Sequence, residues 1–367
     1  MPKRRPAKKR SPAAAVLLAV LCLLLLAVSR YLDSRSEPAA SVLAPEAAQA
    51  DASGLEVHFL DIGQGDSALL FCGDETLLID GGKVKNNQKL IARLKELEVD
   101  HLDAVICSHP DEDHCGGLSA VLASTRTDAF YCSVDSWHTK VFSDVTKYVE
   151  QQGISVTVPQ AGDSFAFGEA SVEFLGPVED YGDDPNEGSL VARVRYGETS
   201  FLFTGDMGFE AEDDMLAAGV DVSATVLKVA HHGSAGSSST EFLQAVHPQY
   251  AVISVGADND YGHPTEAALN RLAGCGIPVY RTDLLGEIIA VSDGKTVTMT
   301  TASNETPSAD AASQPTGSYG YVGNSSSKVV HLAGCGKLPG ESNRVYFASL
   351  DEALAAGYRK HANCLGN

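Results

Sequence analysis

Past its first 35 residues the chain is short of positive charge. Residues 1–35 hold eight of the 27 lysines and arginines and one of the 48 acidic residues, Asp33, which leaves 19 bases against 47 acids and a formal balance of −28. So acidic a body draws no phosphate backbone by its general field. A nucleic-acid ligand would need metal ions or a small basic patch. Disulfide patterning is missing as well. The eight cysteines, at 22, 72, 107, 115, 132, 275, 335 and 364, have no framework spacing, which argues against a small disulfide-stapled scaffold. Several fall in apolar, strand-like runs (Phe71-Cys72, Val105-Ile106-Cys107, Tyr131-Cys132), where buried free thiols are expected. There is no internal repeat and a single long apolar run, so the chain lacks the many spans of a membrane channel.

What is present suits a globular body. The chain has 367 residues, 44% of them hydrophobic and 20% charged, with 34 glycines and 15 prolines that imply many turns and few long helices. The apolar run, Ala13 to Val28, follows six basic residues between Lys3 and Arg10. It reads as a single-pass signal-anchor that keeps the N-terminus in the cytoplasm and sends the rest outward. Ala48-Gln49-Ala50 has the form of a cleavage site but lies far beyond the apolar core, so an uncleaved membrane anchor is expected; if cleaved, the protein would be secreted. The organisation follows: residues 1–35 basic stretch and transmembrane anchor, 36–53 an Ala-rich linker, 54–301 one long domain, 302–318 a second linker rich in Ser, Thr, Pro, Ala and Asp, and 319–367 a compact tail.

Within 54–301 short apolar runs alternate with helical patterns. Strands are expected at 55–60, 68–71, 76–79, 104–107, 190–194, 200–203, 225–229 and 250–254. Helices are expected at 87–98, 210–218, 240–245 and 264–273, the last with Pro264 in its first turn. An α/β fold of sheets covered by helices accounts for that order.

The strongest chemical signal is Ser108-His109-Pro110-Asp111-Glu112-Asp113-His114-Cys115-Gly116-Gly117. Imidazoles and carboxylates on the loop after an apolar strand can converge on one point, and the two glycines allow a tight turn beyond them. A merely solvated acidic loop does not account for two histidines in register with two aspartates. Two further apolar runs end in the same chemistry: Ser200–Phe203 leads to Asp206, and Thr225–Val229 leads to His231-His232.

These segments resemble the motifs of the metallo-β-lactamase superfamily, and specifically its branch of ComEC-like competence proteins. The first is similar to H-x-H-x-D-H, with Asp111 standing where the second histidine usually sits. Phe59-Leu60-Asp61-Ile62-Gly63-Gln64-Gly65-Asp66-Ser67, Leu78-Ile79-Asp80-Gly81-Gly82, Asn186 with Ser189-Leu190-Val191, Phe203-Thr204-Gly205-Asp206, Lys228-Val229-Ala230-His231-His232-Gly233-Ser234 and Asn259-Asp260-Tyr261-Gly262-His263-Pro264 match others in order. The resemblance covers essentially all of 54–301 and implies a metallo-β-lactamase αβ/βα four-layer sandwich with a two-metal site. One metal would take His109, Asp111 and a bridging Asp206, with help from Asn186. The other would take Asp113, His114, Asp206 and one of His231 and His232. Asp113 would lie closest to the bridging water. The carboxylate at 111 hardens the first site, so Zn²⁺, Mn²⁺ or a mixture is expected. His263 is a candidate to touch a scissile phosphate or to donate to a leaving group, with a helix-capping loop histidine as the bland alternative. Lys228 would neutralise phosphate or reach solvent. Asp61, Gln64 and Asp66 are expected to shape the mouth of the site, Asp80 to orient a ligating histidine, and Ser189 and Asn259 to lie beside the metals or the substrate.

In the tail, His331-x3-Cys335 and His361-x2-Cys364 form two N/S pairs that suit a closed tetrahedral Zn²⁺. They resemble an Ada-type metal-binding module, with His361 where that family has Cys. The reaction implied by the ComEC-like branch is phosphodiester hydrolysis, with DNA or another phosphodiester as partner and no protein partner. Hydrolysis of a small ester, lactone or lactam, and a non-catalytic surface binding protein, are the alternatives.

Overall fold

The computed structural model describes residues 54–257 and 259–302, and in the tail 321–332, 337–340, 343–347 and 350–365. The expected anchor at 13–28, the linker at 36–53, all of the second linker but Ala302, and Cys335 lie outside the described residues. Among those described, no helix is long and apolar enough to cross a membrane.

The strands are β1 Leu55–Phe59, β2 Ala68–Cys72, β3 Glu75–Ile79, β4 His101–Cys107, β5 Arg126–Cys132, β6 Val156–Thr157, β7 Ser164–Phe167, β8 Ala170–Gly176, β9 Val191–Tyr196, β10 Thr199–Phe203, β11 Val226–Lys228, β12 Tyr250–Ile253, β13 Val279–Arg281, β14 Ile288–Ser292 and β15 Val297–Thr301. One sheet runs β15-β14-β1-β2-β3-β4-β5-β6 and the other β13-β12-β11-β10-β9-β8-β7. Each sheet has a parallel half, β3 to β6 in the first and β10 to β13 in the second.

Alternation along the strands builds three layers of core. Ala104 and Ile106 of β4 meet Phe201 and Phe203 of β10 between the sheets, while Val105 and Cys107 turn outward. The helices are α1 Asn87–Glu96, α2 Glu112–Cys115, α3 Leu118–Ser124, α4 Lys140–Gln151, α5 Phe209–Ala217, α6 Thr240–Val246, α7 Glu266–Gly274 and α8 Thr282–Leu285. Leu90 and Leu94 of α1, Leu118 and Val121 of α3, and Phe142, Val145 and Val149 of α4 cover the outer face of the first sheet. Met215 of α5, Phe242 of α6 and Leu272 of α7 cover the second. Helix, sheet, sheet, helix is a four-layer arrangement in which both sheets are buried on two faces.

Helix α7 begins two residues later than expected. The Thr265 hydroxyl accepts from Ala268 N and caps it, so Pro264 precedes the helix and His263 does not cap it. The tail adds a small sheet of β16 Tyr321–Asn324, β17 Val329–Leu332, β18 Arg344–Phe347 and β19 Arg359–Lys360, with helices α9 Leu350–Ala355 and α10 Ala362–Leu365. Val330, Val345, Phe347, Ala353 and Tyr358 form its core.

The functional loops leave the carboxyl ends of β3, β4, β10, β11 and β12, all members of the parallel halves. Strands of both sheets thus deliver side chains to one edge of the sandwich, the place where open α/β sheets bind ligands.

Candidate metal centre

The site is assembled on a buried frame. Asp80, just past β3 and with left-handed backbone (φ 60°), accepts from Ser108 N at 2.7 Å, Ser108 Oγ at 2.8 Å and His114 Nδ1 at 2.9 Å. That leaves His114 Nε2 facing Asp206 Oδ1 at 3.0 Å. His109 uses Nδ1 on the hydroxyls of Ser108 (3.1 Å) and Ser189 (3.3 Å), and Ser189 Oγ also accepts from Asp206 N. His232 gives Nδ1 to Ser254 O at 2.9 Å, beside Asp66 Oδ1 at 3.0 Å, and places Nε2 3.7 Å from both Asp113 Oδ2 and Asp206 Oδ2. His231 Nε2 lies 3.6 Å from Asp206 Oδ2, and His109 Nε2 lies 4.0 Å from Asp111 Oδ2. His231 and His232 both adopt φ near 51°, a costly backbone for residues with a Cβ, which aims the pair back toward β10.

The residues expected to bind metal therefore converge, and their chemistry fits divalent cations. His109, His114 and His232 each spend Nδ1 on a protein partner, the arrangement that orients ligating imidazoles. The Nε2 atoms of His109 and His232 are buried and have no hydrogen-bond partner among the described residues, and His114 Nε2 has only its ion pair with Asp206 Oδ1. Buried orphans of this kind are rare unless an ion or water completes them.

The electrostatics agree. Burial and the neighbouring His114 hold His109 down at about 3, so it is a neutral imidazole. Burial opposes charge on His114 and His232, but Asp206 with Asp80 raises the first well above its ordinary range, and Asp206 with Asp66 raises the second to about 10. Asp113 and Asp206 are depressed against burial, the first by His232 and His114, the second by His114 and His232. Burial and Asp113 push Asp111 up. The carboxylates are thus balanced by protons on imidazoles, the protons that metal binding releases.

The metallo-beta-lactamase superfamily model matches residues 60–257. The chain belongs to the metallo-beta-lactamase superfamily. Its relatives place it in the competence-protein branch. Competence protein ComA of Neisseria gonorrhoeae is 34% identical over 287 residues, 76% of this chain and 38% of that protein. ComE operon protein 3 of Bacillus subtilis (strain 168) is 30% identical over 251 residues, 64% of this chain and 32% of that one. The chain thus spans 38% and 32% of the length of these relatives. Among solved structures, the metallo-beta-lactamase fold protein YhfI from Bacillus subtilis has a TM-score of 0.43 at 14% identity, over 67% of this chain and 100% of that chain.

Within this superfamily fold, two expected positions are corrected. Asp66 does not shape the mouth. Its backbone N–H donates to Asp113 O at 3.0 Å, and the loop packs so closely that a Cβ on Gly65 would stand 2.4 Å from the same carbonyl. Asp66 is consequently buried behind His232. There its Oδ2 takes the Lys228 ammonium at 2.7 Å, and burial is outweighed by Lys228 and His232, which hold its carboxyl at about 2. Although Asp66 stands with His114, Asp206 and His232 in one potential ligand cluster, its oxygens face Lys228 and His232 Nδ1, on the far side of that ring from Nε2. For the same reason Lys228 neither reaches solvent nor is open to a phosphate: it is 4% exposed and also donates to Val229 O.

The open side is a cleft of about 230 Å³ lined by Gln64, Asp111, Asp113, Asn186, Asp206, His231, His232, Tyr261 and His263. Asn186 Oδ1 and His263 Nδ1 are buried there without partners among the described residues. Burial, His231 and His232 hold His263 at about 4, a neutral ring. Asn259 lies behind this wall, its side chain bonded to Gly256 O, His263 O and the N–H groups of Tyr261 and His263, and so braces the loop. Asp61 pairs with Lys89 at 2.9 Å, away from the metal ligands. Two residues given no role from sequence border the cleft: Lys83, 3.8 Å from Asp113 Oδ2, and Tyr261, whose hydroxyl accepts from Lys83 at 3.1 Å. The position of Lys83 directly after Asp80-Gly81-Gly82 was the available signal. Behind the histidine pair, buried Arg271 donates to the carbonyls of Ser237 and Ser238 while Glu212 accepts from the N–H groups of Ser238 and Ser239, which holds the following loop.

In the tail, His331, His361 and Cys364 form a second cluster, with ring centroids of the histidines 4.0 Å apart and His361 Nδ1 3.2 Å from Cys364 Sγ. The fourth expected ligand, Cys335, is outside the described residues.

Proposed function

We propose that this protein is an exported, membrane-anchored, metal-dependent phosphodiesterase that cleaves DNA. The observation that carries the reading is the convergence of His109, Asp111, Asp113, His114, Asp206 and the His231-His232 pair on one cleft. His109, Asp111 and Asp206, with Asn186 beside them, would hold one divalent ion, and Asp113, His114, Asp206 and a histidine of the pair the other. His232 is the better fixed of that pair, buried and tied through Nδ1, whereas His231 is 30% exposed. A pair of divalent ions, Zn²⁺ or Mn²⁺, lowers the pKa of bound water and neutralises charge on a phosphodiester.

The chain's own residues do the rest. Asp80, Ser108, Ser189, Asp66 and Ser254 fix the ring orientations, so the inward nitrogens are set before substrate arrives. Asp113, held ionised against burial by His232 and His114, would accept a hydrogen bond from a nucleophilic water in the cleft. Neutral His263 lines the same cleft, where it can contact the scissile phosphate. The DNA reading draws further on the competence-protein relatives. The membrane as partner rests on the Ala13–Val28 run, which as an anchor would put the catalytic domain outside the cell. The tail cluster would hold a structural Zn²⁺.

The test is cleavage of end-labelled single- and double-stranded DNA by the full chain with Mn²⁺ or Zn²⁺, beside Asp206→Ala. Metal-dependent cleavage absent from the variant is expected. A folded, metal-loaded wild type that cleaves no DNA would turn the assignment to small esters, lactones or lactams.

A further inference from the structure

A groove of about 360 Å³ runs out of the metal cleft and shares Gln64 and Tyr261 with it; its other walls include Lys83, Lys85, Asn86 and Gly256, and two carboxylates, Asp61 and Asp260. One wall of the groove is locally basic within the acidic body, and Asp61 is already paired with Lys89 at 2.9 Å. Lys83-Val84-Lys85-Asn86-Asn87-Gln88-Lys89 has three lysines and no acid in seven residues, and it forms the entry to α1 along this groove. Lys83 marks the junction, its ammonium 3.8 Å from Asp113 Oδ2 and 4.8 Å from the Tyr261 ring centre. Lys85 is exposed on the groove wall. Two amide nitrogens that line it, Gln64 Nε2 and Asn86 Nδ2, are buried with no partner among the described residues, and Gln64 as a whole is only 6% exposed. The unsatisfied groups are donors, as an anionic ligand requires. Tyr261 is the most exposed large apolar side chain described, at 58%, although Lys83 and His263 both lie against it.

We propose that this groove is a subsite for an unpaired nucleic-acid strand, with Tyr261 stacking on a base and Lys83 and Lys85 taking the phosphates beside the scissile one. The inference rests on the phosphodiesterase reading and adds strand selectivity to it: a base must be unstacked to lie on Tyr261, so single strands enter and intact duplex does not. An aromatic platform beside a short basic track is the general means of holding a strand without reading its sequence.

The test compares two substrates of the full, metal-loaded chain. A short labelled single strand needs the groove, whereas bis(p-nitrophenyl) phosphate fills only the cleft. Tyr261→Ala is expected to raise KM for the single strand by about tenfold or more with little change in kcat, while Tyr261→Phe retains the ring and the affinity. Lys85→Ala is expected to flatten the dependence of log kcat/KM on log salt by about 0.7. Hydrolysis of bis(p-nitrophenyl) phosphate stays at the wild-type rate in Lys85→Ala, whose side chain lines only the groove. Tyr261→Ala loses more on the single strand than on the small ester, because Tyr261 also borders the cleft. Single-strand kinetics untouched by Tyr261→Ala and Lys85→Ala would overturn the groove and leave the phosphodiesterase standing, as would an equal loss on both substrates, which would mean damage to the centre. A wild type that hydrolyses no oligonucleotide would overturn the phosphodiesterase reading and the groove with it.

Discussion

Asp80 shows how much of the site depends on residues that touch no ion. Its carboxylate accepts three hydrogen bonds and so sets both the Ser108 backbone and the His114 ring. Asp80→Ala should weaken metal binding about ten- to a hundredfold, read by metal titration, with activity recovering at saturating metal. Unchanged affinity would mean that His114 is oriented by packing alone. The buried pair of Lys228 and Asp66 makes a different prediction. Lys228→Met strands a carboxylate behind His232 and should cost about 3–5 kcal/mol in urea unfolding, with part of the loss restored by Asp66→Asn in the same chain. At this scale the converging side chains were legible because the motifs set them at the ends of apolar runs. The Lys228–Asp66 pair was not, since its members lie in motifs far apart in the chain and meet only across the two sheets. Nothing local distinguishes such a lysine from one that reaches solvent.

At the scale of elements, strands and helices showed where periodicity was strong, as in α1 with Leu90 and Leu94 buried and in β4 and β10. The middle of the chain read less clearly. Helix α4 has Phe142, Val145 and Val149 on one face and Thr139 as its cap, a pattern present in the sequence but carrying no chemistry to draw the eye. Strands β7 and β8 are short, and Phe165 and Phe167 gain meaning only against β8 and the first sheet. The seam between β1 and β14 carries its own titration. His58 is bonded to Glu56 and Glu287, each at 2.7 Å, and Arg93 also holds Glu287.

Burial works against charge on His58, but both glutamates overcome it and raise the ring above its ordinary 6.5. The His58 bond lowers Glu56 from 4.5; burial opposes the same shift in Glu287, and His58 and Arg93 outweigh it. The histidine's contribution is therefore complete below about 6.5 and is lost as pH rises through its raised folded value. The glutamates' contribution is present above about 4.5 and is lost as pH falls through their depressed values. Thermal melts across pH should show a decline on the alkaline side that His58→Gln removes. A decline that persists in the variant would place its origin elsewhere.

Over the whole molecule, the two sheets act as a rigid jig that brings loops from five parallel strands to one edge, and this is what the order of the motifs along the sequence encoded. Layering was legible for that reason, whereas the cleft and groove were not, because they are spaces between segments distant in the chain. Stability should be linked to occupancy: a ligand present at a hundred times its dissociation constant adds about 2.7 kcal/mol, so stripping divalent ions with a chelator should lower the melting temperature and restoring them should raise it. Two ions held at the edge of the sandwich would both depend on Asp206, which faces His114, His231 and His232. The most direct test is the metal content of the full chain after gel filtration, wild type beside Asp206→Ala. A two-ion centre predicts that the variant, still folded by circular dichroism, loses about two equivalents while any ion of the tail stays. A variant that keeps the full wild-type complement would contradict it.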